Sequence, residues 1–202
     1  MNLLANQTFI GWTLLASGMV FILSFIFLAL MFSTKSSPWG TLNDITYVLA
    51  LILTLPFMIA FFNDLRDSQP FLALAALLLG VLGIGLVAYT QIGLVLRKIE
   101  FSLNLRQGAF GAGLLGAAFI INHLSVTGII PVGLNWLGLM TGILMAMGIP
   151  TGLFYGKEEL DITTGKLDWK TANRLAIVSV LATFMGQILL IIFVIILGFH
   201  FL

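Results

Sequence analysis

The chain has 202 residues, of which 60% are hydrophobic and 8% charged, with a net charge of +1 and a mean hydropathy of +1.13. Soluble domains carry roughly a quarter charged residues, so this composition places residues 1–202 in a lipid bilayer as a single membrane domain. There is no cysteine, which excludes disulfides, thiolate metal sites, iron–sulfur clusters and cysteine nucleophiles, and the near-neutral charge argues against nucleic acid as a partner.

A helix needs about 20 apolar residues to cross the hydrocarbon, and uncharged intervals of that length mark the spans. Residues 1–34 carry no charge and predict a helix near 10–32. No Lys or Arg precedes its apolar run, so it does not read as a secretory signal peptide. Asp44 and Asp64 flank a second helix near 42–63 that contains Pro56; a third, near 70–95, opens with Pro70. The uncharged stretch between Arg106 and Lys157 is long enough for two helices, near 108–129 and 133–155, broken at "TGIIPVGLN". The last lies near 174–200. The expected fold is all-α, a polytopic bundle of six transmembrane helices.

Cytoplasmic connections retain an excess of Lys and Arg. Connections 33–44, 96–107 and 156–174 hold eight of the nine basic residues, and only Arg66 lies on the other side. The expectation is a protein of the prokaryotic cytoplasmic membrane with both termini outside. The third of these connections, "GKEELDITTGKLDWKTANR", concentrates eight of the seventeen charges. Leu160 and Ile162 alternate with polar residues before the Thr164–Gly165 turn signal, which suggests a short hairpin, and Asp168 or Thr171 would cap the last helix. Its acids Glu158, Glu159, Asp161 and Asp168 lack the spacing of a calcium loop and read as a solvated connection.

Small residues recur every four positions in the fourth and fifth helices: Gly108, Ala112 and Gly116, then Gly138, Gly142 and Ala146, with Gly148, Gly152 and Gly156 beyond. Such ladders let backbones approach in lipid and read as helix-packing faces. Pro56 and Pro150 are expected to kink their helices. No Asp, Glu, Lys or Arg lies well inside a predicted helix, which weighs against ion-coupled transport. The densest neutral polar cluster is "NHLSVTG", so Asn122, His123, Asn135 and Gln187 form the candidate ligand-binding site, an outer-facing pocket. No cofactor is predicted, although His123, alone or with His200, would be the ligand if a tetrapyrrole were bound. No catalytic motif is present, Ser125 and His123 would point apart on a helix, and the chain reads as no enzyme.

The segments "LNDITYVLALILTLPFMIAFFNDLRDSQPFLALAALLLGVLG" and "LNWLGLMTGILMAMG", about 60 residues together, resemble a family of prokaryotic six-helix membrane proteins defined as a domain of unknown function. The resemblance rests on "AFFNDLRDSQP" and "LNWLGLMTG" and implies a six-helix bundle without implying an activity. Two functional readings follow. The chain is an accessory or structural subunit, docking on other membrane-protein subunits or on itself through its small-residue faces, or it binds a small apolar or amphipathic ligand near His123.

The topology is directly testable because the chain lacks cysteine. In intact cells a membrane-impermeant maleimide should label Asp67→Cys and leave Lys98→Cys unlabelled until the membrane is opened; the reverse pattern contradicts the charge count.

Overall fold

The computed structural model describes residues 3–125, 130–154 and 174–202. They form eight α-helices and, among the described residues, no strand: α1 (Leu3–Thr34), α2 (Ser37–Ile52), α3 (Leu55–Leu65), α4 (Pro70–Val95), α5 (Phe101–Ser125), α6 (Val132–Ala146), α7 (Gly148–Phe154) and α8 (Arg174–His200). Two of the breaks lie inside spans, so the eight helices make six units long and apolar enough to cross a membrane. The chain is thus an all-α, six-span bundle. Three starts differ from the sequence expectation, the first because α1 begins at Leu3 rather than near 10. The second span starts at Ser37 rather than near 42, and the fourth at Phe101 rather than near 108. The connection carrying Lys157, Gly156, the Thr164–Gly165 turn and the proposed caps Asp168 and Thr171 lies outside the described residues.

Each internal break traces to a proline. Pro56 cannot donate to Ile52, and α2 closes instead with Leu53 N–H on Leu49 O (3.1 Å) and Thr54 N–H on Leu51 O (3.0 Å). The Thr54 hydroxyl adds a 2.7 Å bond to Leu51 O, so the break leaves few backbone groups bare in a medium with no water to satisfy them. Pro150 does the same to the fifth span: its ring excludes the carbonyl of Ala146, and α6 gives way to α7 at Met147.

The spans pack in chain order, and α8 closes the ring by lying against both α1 and α6. Lipid offers little hydrophobic drive for association, so close backbone contact carries much of the packing. The small-residue ladders supply it, with α5 at the centre. A Cβ placed on Gly116 would sit 2.5 Å from Ala146 N and 2.6 Å from Gly142 O; one on Gly142 would sit 2.8 Å from Gly116 O. Further along, Gly148 abuts the Ala109 carbonyl, Gly152 abuts Phe110, and Gly113 would meet Ile149 N at 2.5 Å. Gly111 faces Gly83 on α4 with the same tightness. Ala112 is buried at 1% exposure. Gly108 departs from the expected ladder: a Cβ there meets only Thr90 Oγ1, at 3.7 Å, so it is no tight packing contact. Arg106 secures the end of α7, its Nε–H donating 2.8 Å to the Gly152 carbonyl, one of the four that a helix end leaves unpaired.

Replacing Gly142 by Leu pushes a side chain into the backbone of α5, where neither partner has a flexible end to yield. Gly142→Leu should lower stability in mild detergent by about 1–3 kcal/mol or more, read as a fall in melting temperature. Gly85→Leu, where nothing lies within 4 Å, should melt like the unaltered protein. Equal melting of the two variants would contradict the packing account.

Candidate functional site

The interior of the ring is filled differently in its two halves. In the half bearing the α3–α4 and α5–α6 connections, Phe57, Phe61, Phe119 and Phe193 meet around the imidazole of His123. Ring centroids lie 4.6 Å apart for Phe57–Phe61 and 5.7 Å for Phe119–Phe193. His123 stands 5.5, 5.7 and 5.2 Å from Phe61, Phe119 and Phe193. These contacts close the half that sequence reasoning assigned to a ligand.

His123 and Asn135 do come together. His123 Nδ1 lies 2.8 Å from Asn135 Oδ1, and Asn135 Nδ2 donates 2.9 Å to the His123 carbonyl. The pair ties the end of α5 to the start of α6 and satisfies a terminal carbonyl. His123 is 2% exposed, and its free Nε2 abuts Gly138, where even a Cβ would clash with the ring. Gly138 thus makes room for the imidazole. Asn122 is buried beside His123 but takes no part in the pair. A hollow of about 50 Å³ between Phe57, Phe61, Asp64 and Ile130 is not lined by His123. His200 lies at the end of α8, its ring tilted against Phe201 with centroids 5.6 Å apart.

Gln187 lies elsewhere. It precedes Phe193 by six residues on α8, a rise of roughly 9 Å, and lines a cavity of about 220 Å³ in the opposite half of the bundle. This is the half that carries the basic connections. Helix α2 supplies Asn43, Asp44 and Tyr47; α4 supplies Gln91; α5 supplies Asn104 and Gly108; and α8 supplies Thr183 and Gln187. Phe25 of α1 and Phe184 of α8 face one another across part of the wall, centroids 5.5 Å apart.

The polar groups fall into two sets. Some are committed to the protein: Ser24 Oγ–H donates to Asn43 Oδ1 (2.8 Å), which turns Asn43 Nδ2 towards Asp44 Oδ1 (3.1 Å). Thr183 donates back to Ser179 O (2.8 Å). Others lack partners. Gln91 Oε1 and Asn104 Oδ1 are buried and, among the described residues, accept no hydrogen bond, and Asn104 is 6% exposed. A buried acceptor left unmade costs about 1–3 kcal/mol. Both residues line the cavity together with Asp44. Among the described residues, no Lys, Arg or His lines the cavity, and no group of three or more His, Asp or Glu could hold a metal.

Sequence reasoning treated Asp44 as a boundary marker and passed over Asn43, Gln91 and Asn104. Asp44 lies seven residues after the start of α2 at Ser37, rather than beside the start of a helix near 42. The missed signal is Pro38: proline favours the first turn of a helix, and "SSPWGTLND" read as a helix start brings Asp44 two turns in.

Asn135→Ala removes both bonds of the His123 pair. Hydrogen bonds within membranes contribute about 0.6–1.7 kcal/mol each, so this variant should melt lower by a corresponding amount while the distant cavity keeps its shape. An unchanged melting temperature would show that the pair does not hold the α5–α6 corner. Comparison with known proteins gives no match to a family model, to a curated protein or to a solved structure.

Proposed function

We propose that the chain is a non-catalytic multi-pass membrane protein that binds or carries a small amphipathic ligand in the cavity between α1, α2, α4, α5 and α8. The observation that carries this reading is the pair of unpartnered acceptors, Gln91 Oε1 and Asn104 Oδ1, in an otherwise close-packed bundle. The aromatic contacts around His123 stop the far half, so a ligand enters and leaves from the side of the basic connections, the cytoplasmic side by the charge count. The volume is below the roughly 300–1,000 Å³ of pockets for drug-sized ligands, which favours a small molecule or one end of a longer amphipath.

Docking as an accessory subunit has less support. The small-residue faces named for it are occupied within the chain, Gly116 against Gly142, Gly148 against Ala109 and Gly138 against His123. A partner subunit would have to use the lipid-facing surface instead.

Gentle purification from native membranes, followed by mass spectrometry of small molecules and proteins, tests both. Gly108 has open space before it, so Gly108→Leu fills the cavity without disturbing backbone contacts. A small molecule should accompany the unaltered protein and be lost from Gly108→Leu. Equal retention by both contradicts the cavity reading, and a stoichiometric partner protein without any ligand restores the accessory one.

A further inference from the structure

The ligand's chemical class can be read from the charge of the cavity. Asp44 is placed by the Ser24–Asn43 relay, which fixes one carboxylate oxygen and leaves the group inside the span. Among the described residues it has no ion pair, and no cationic side chain shares the cavity. An ionised carboxylate within a membrane is expensive unless paired, so the wall asks for a positive charge from outside the protein.

The other groups agree with that charge. Gln91 Oε1 and Asn104 Oδ1 are acceptors without donors, suited to the several N–H groups of an ammonium, whereas a hydroxyl would satisfy only one. Phe25, Tyr47, Phe101 and Phe184 also line the wall, and aromatic rings attract a cation over their faces. We propose that the cavity takes a small organic cation, an ammonium carried on an apolar or aromatic body, with Asp44 holding the charge and Gln91 and Asn104 accepting its N–H groups. This rests on the ligand-binding reading above.

The two are separable by experiment. Protein in lipid nanodiscs is titrated with 2-phenylethylammonium and with its neutral analogue 2-phenylethanol, binding being followed by saturation-transfer NMR and thermal shift. The unaltered protein should bind the ammonium at least tenfold more tightly, Asp44→Asn should bind both alike, and Gly108→Leu should bind neither. If Asp44→Asn does not fold, Asn104→Asp adds a second carboxylate and should raise the preference for the ammonium; an unchanged preference overturns the proposal. Equal affinity for both probes in the unaltered protein, abolished by Gly108→Leu, overturns cation selection and leaves the cavity reading intact. Absence of binding, or binding indifferent to Gly108→Leu, overturns both. Thermal stabilisation by sodium chloride as large as that by the ammonium, and lost in Asp44→Asn, overturns the organic cation in favour of an inorganic one.

Discussion

Backbone-to-backbone contact along α5 sets the geometry of this protein. Gly116 meets Gly142 and Ala146, Gly113 meets Gly148 and Ile149, and Gly111 meets Gly83, so α5 lies within van der Waals reach of α4 on one side and of α6 and α7 on the other. In a solvent as apolar as the side chains themselves, such approach supplies the dispersion contacts that burial supplies in water. With α5 fixed, its two halves face the bundle interior at fixed heights. The second half carries Phe119 and His123 into the aromatic cluster, and the first carries Asn104 and Gly108 to the wall of the cavity.

That division explains why the polar residues of the two halves behave differently. His123 and Asn135 satisfy one another and a helix-end carbonyl, which is a structural use of polarity. On the other side, the relay from Ser24 through Asn43 holds the Asp44 carboxylate at a cavity lined also by Gln91 and Asn104, whose amide oxygens have no partner among the described residues. A bundle held by glycine contacts can keep such a space open, because the helices around it are located by their backbones and do not depend on side chains filling the gap. Gly108, the one ladder glycine among the described residues without a close neighbour, is where the ladder gives way to the cavity.

Much of the fold was legible in the residues. Uncharged intervals marked six spans, four-residue spacing marked the faces of α5, α6 and α7, and Pro56 and Pro150 marked the breaks at Leu53–Thr54 and Met147. The span limits were read too short at the starts of α2 and α5. Arg106 sits within α5 because the Gly152 carbonyl takes its N–H, and Asp44 sits within α2 beside Asn43. The site was less legible, because it is assembled from five spans whose mutual register no local pattern encodes. His123 and Asn135, twelve residues apart in sequence, do meet. Gln187 was grouped with them by polarity alone, while six residues of α8 separate it from the ring that touches His123.

A density map of the protein purified from native membranes and held in nanodiscs tests the central claim most directly. The account predicts non-protein density between Asp44, Gln91 and Asn104, within hydrogen-bonding distance of all three side chains. A cavity closed by collapse of α2 onto α5, with Gln91 and Asn104 bonded to protein partners, would contradict it.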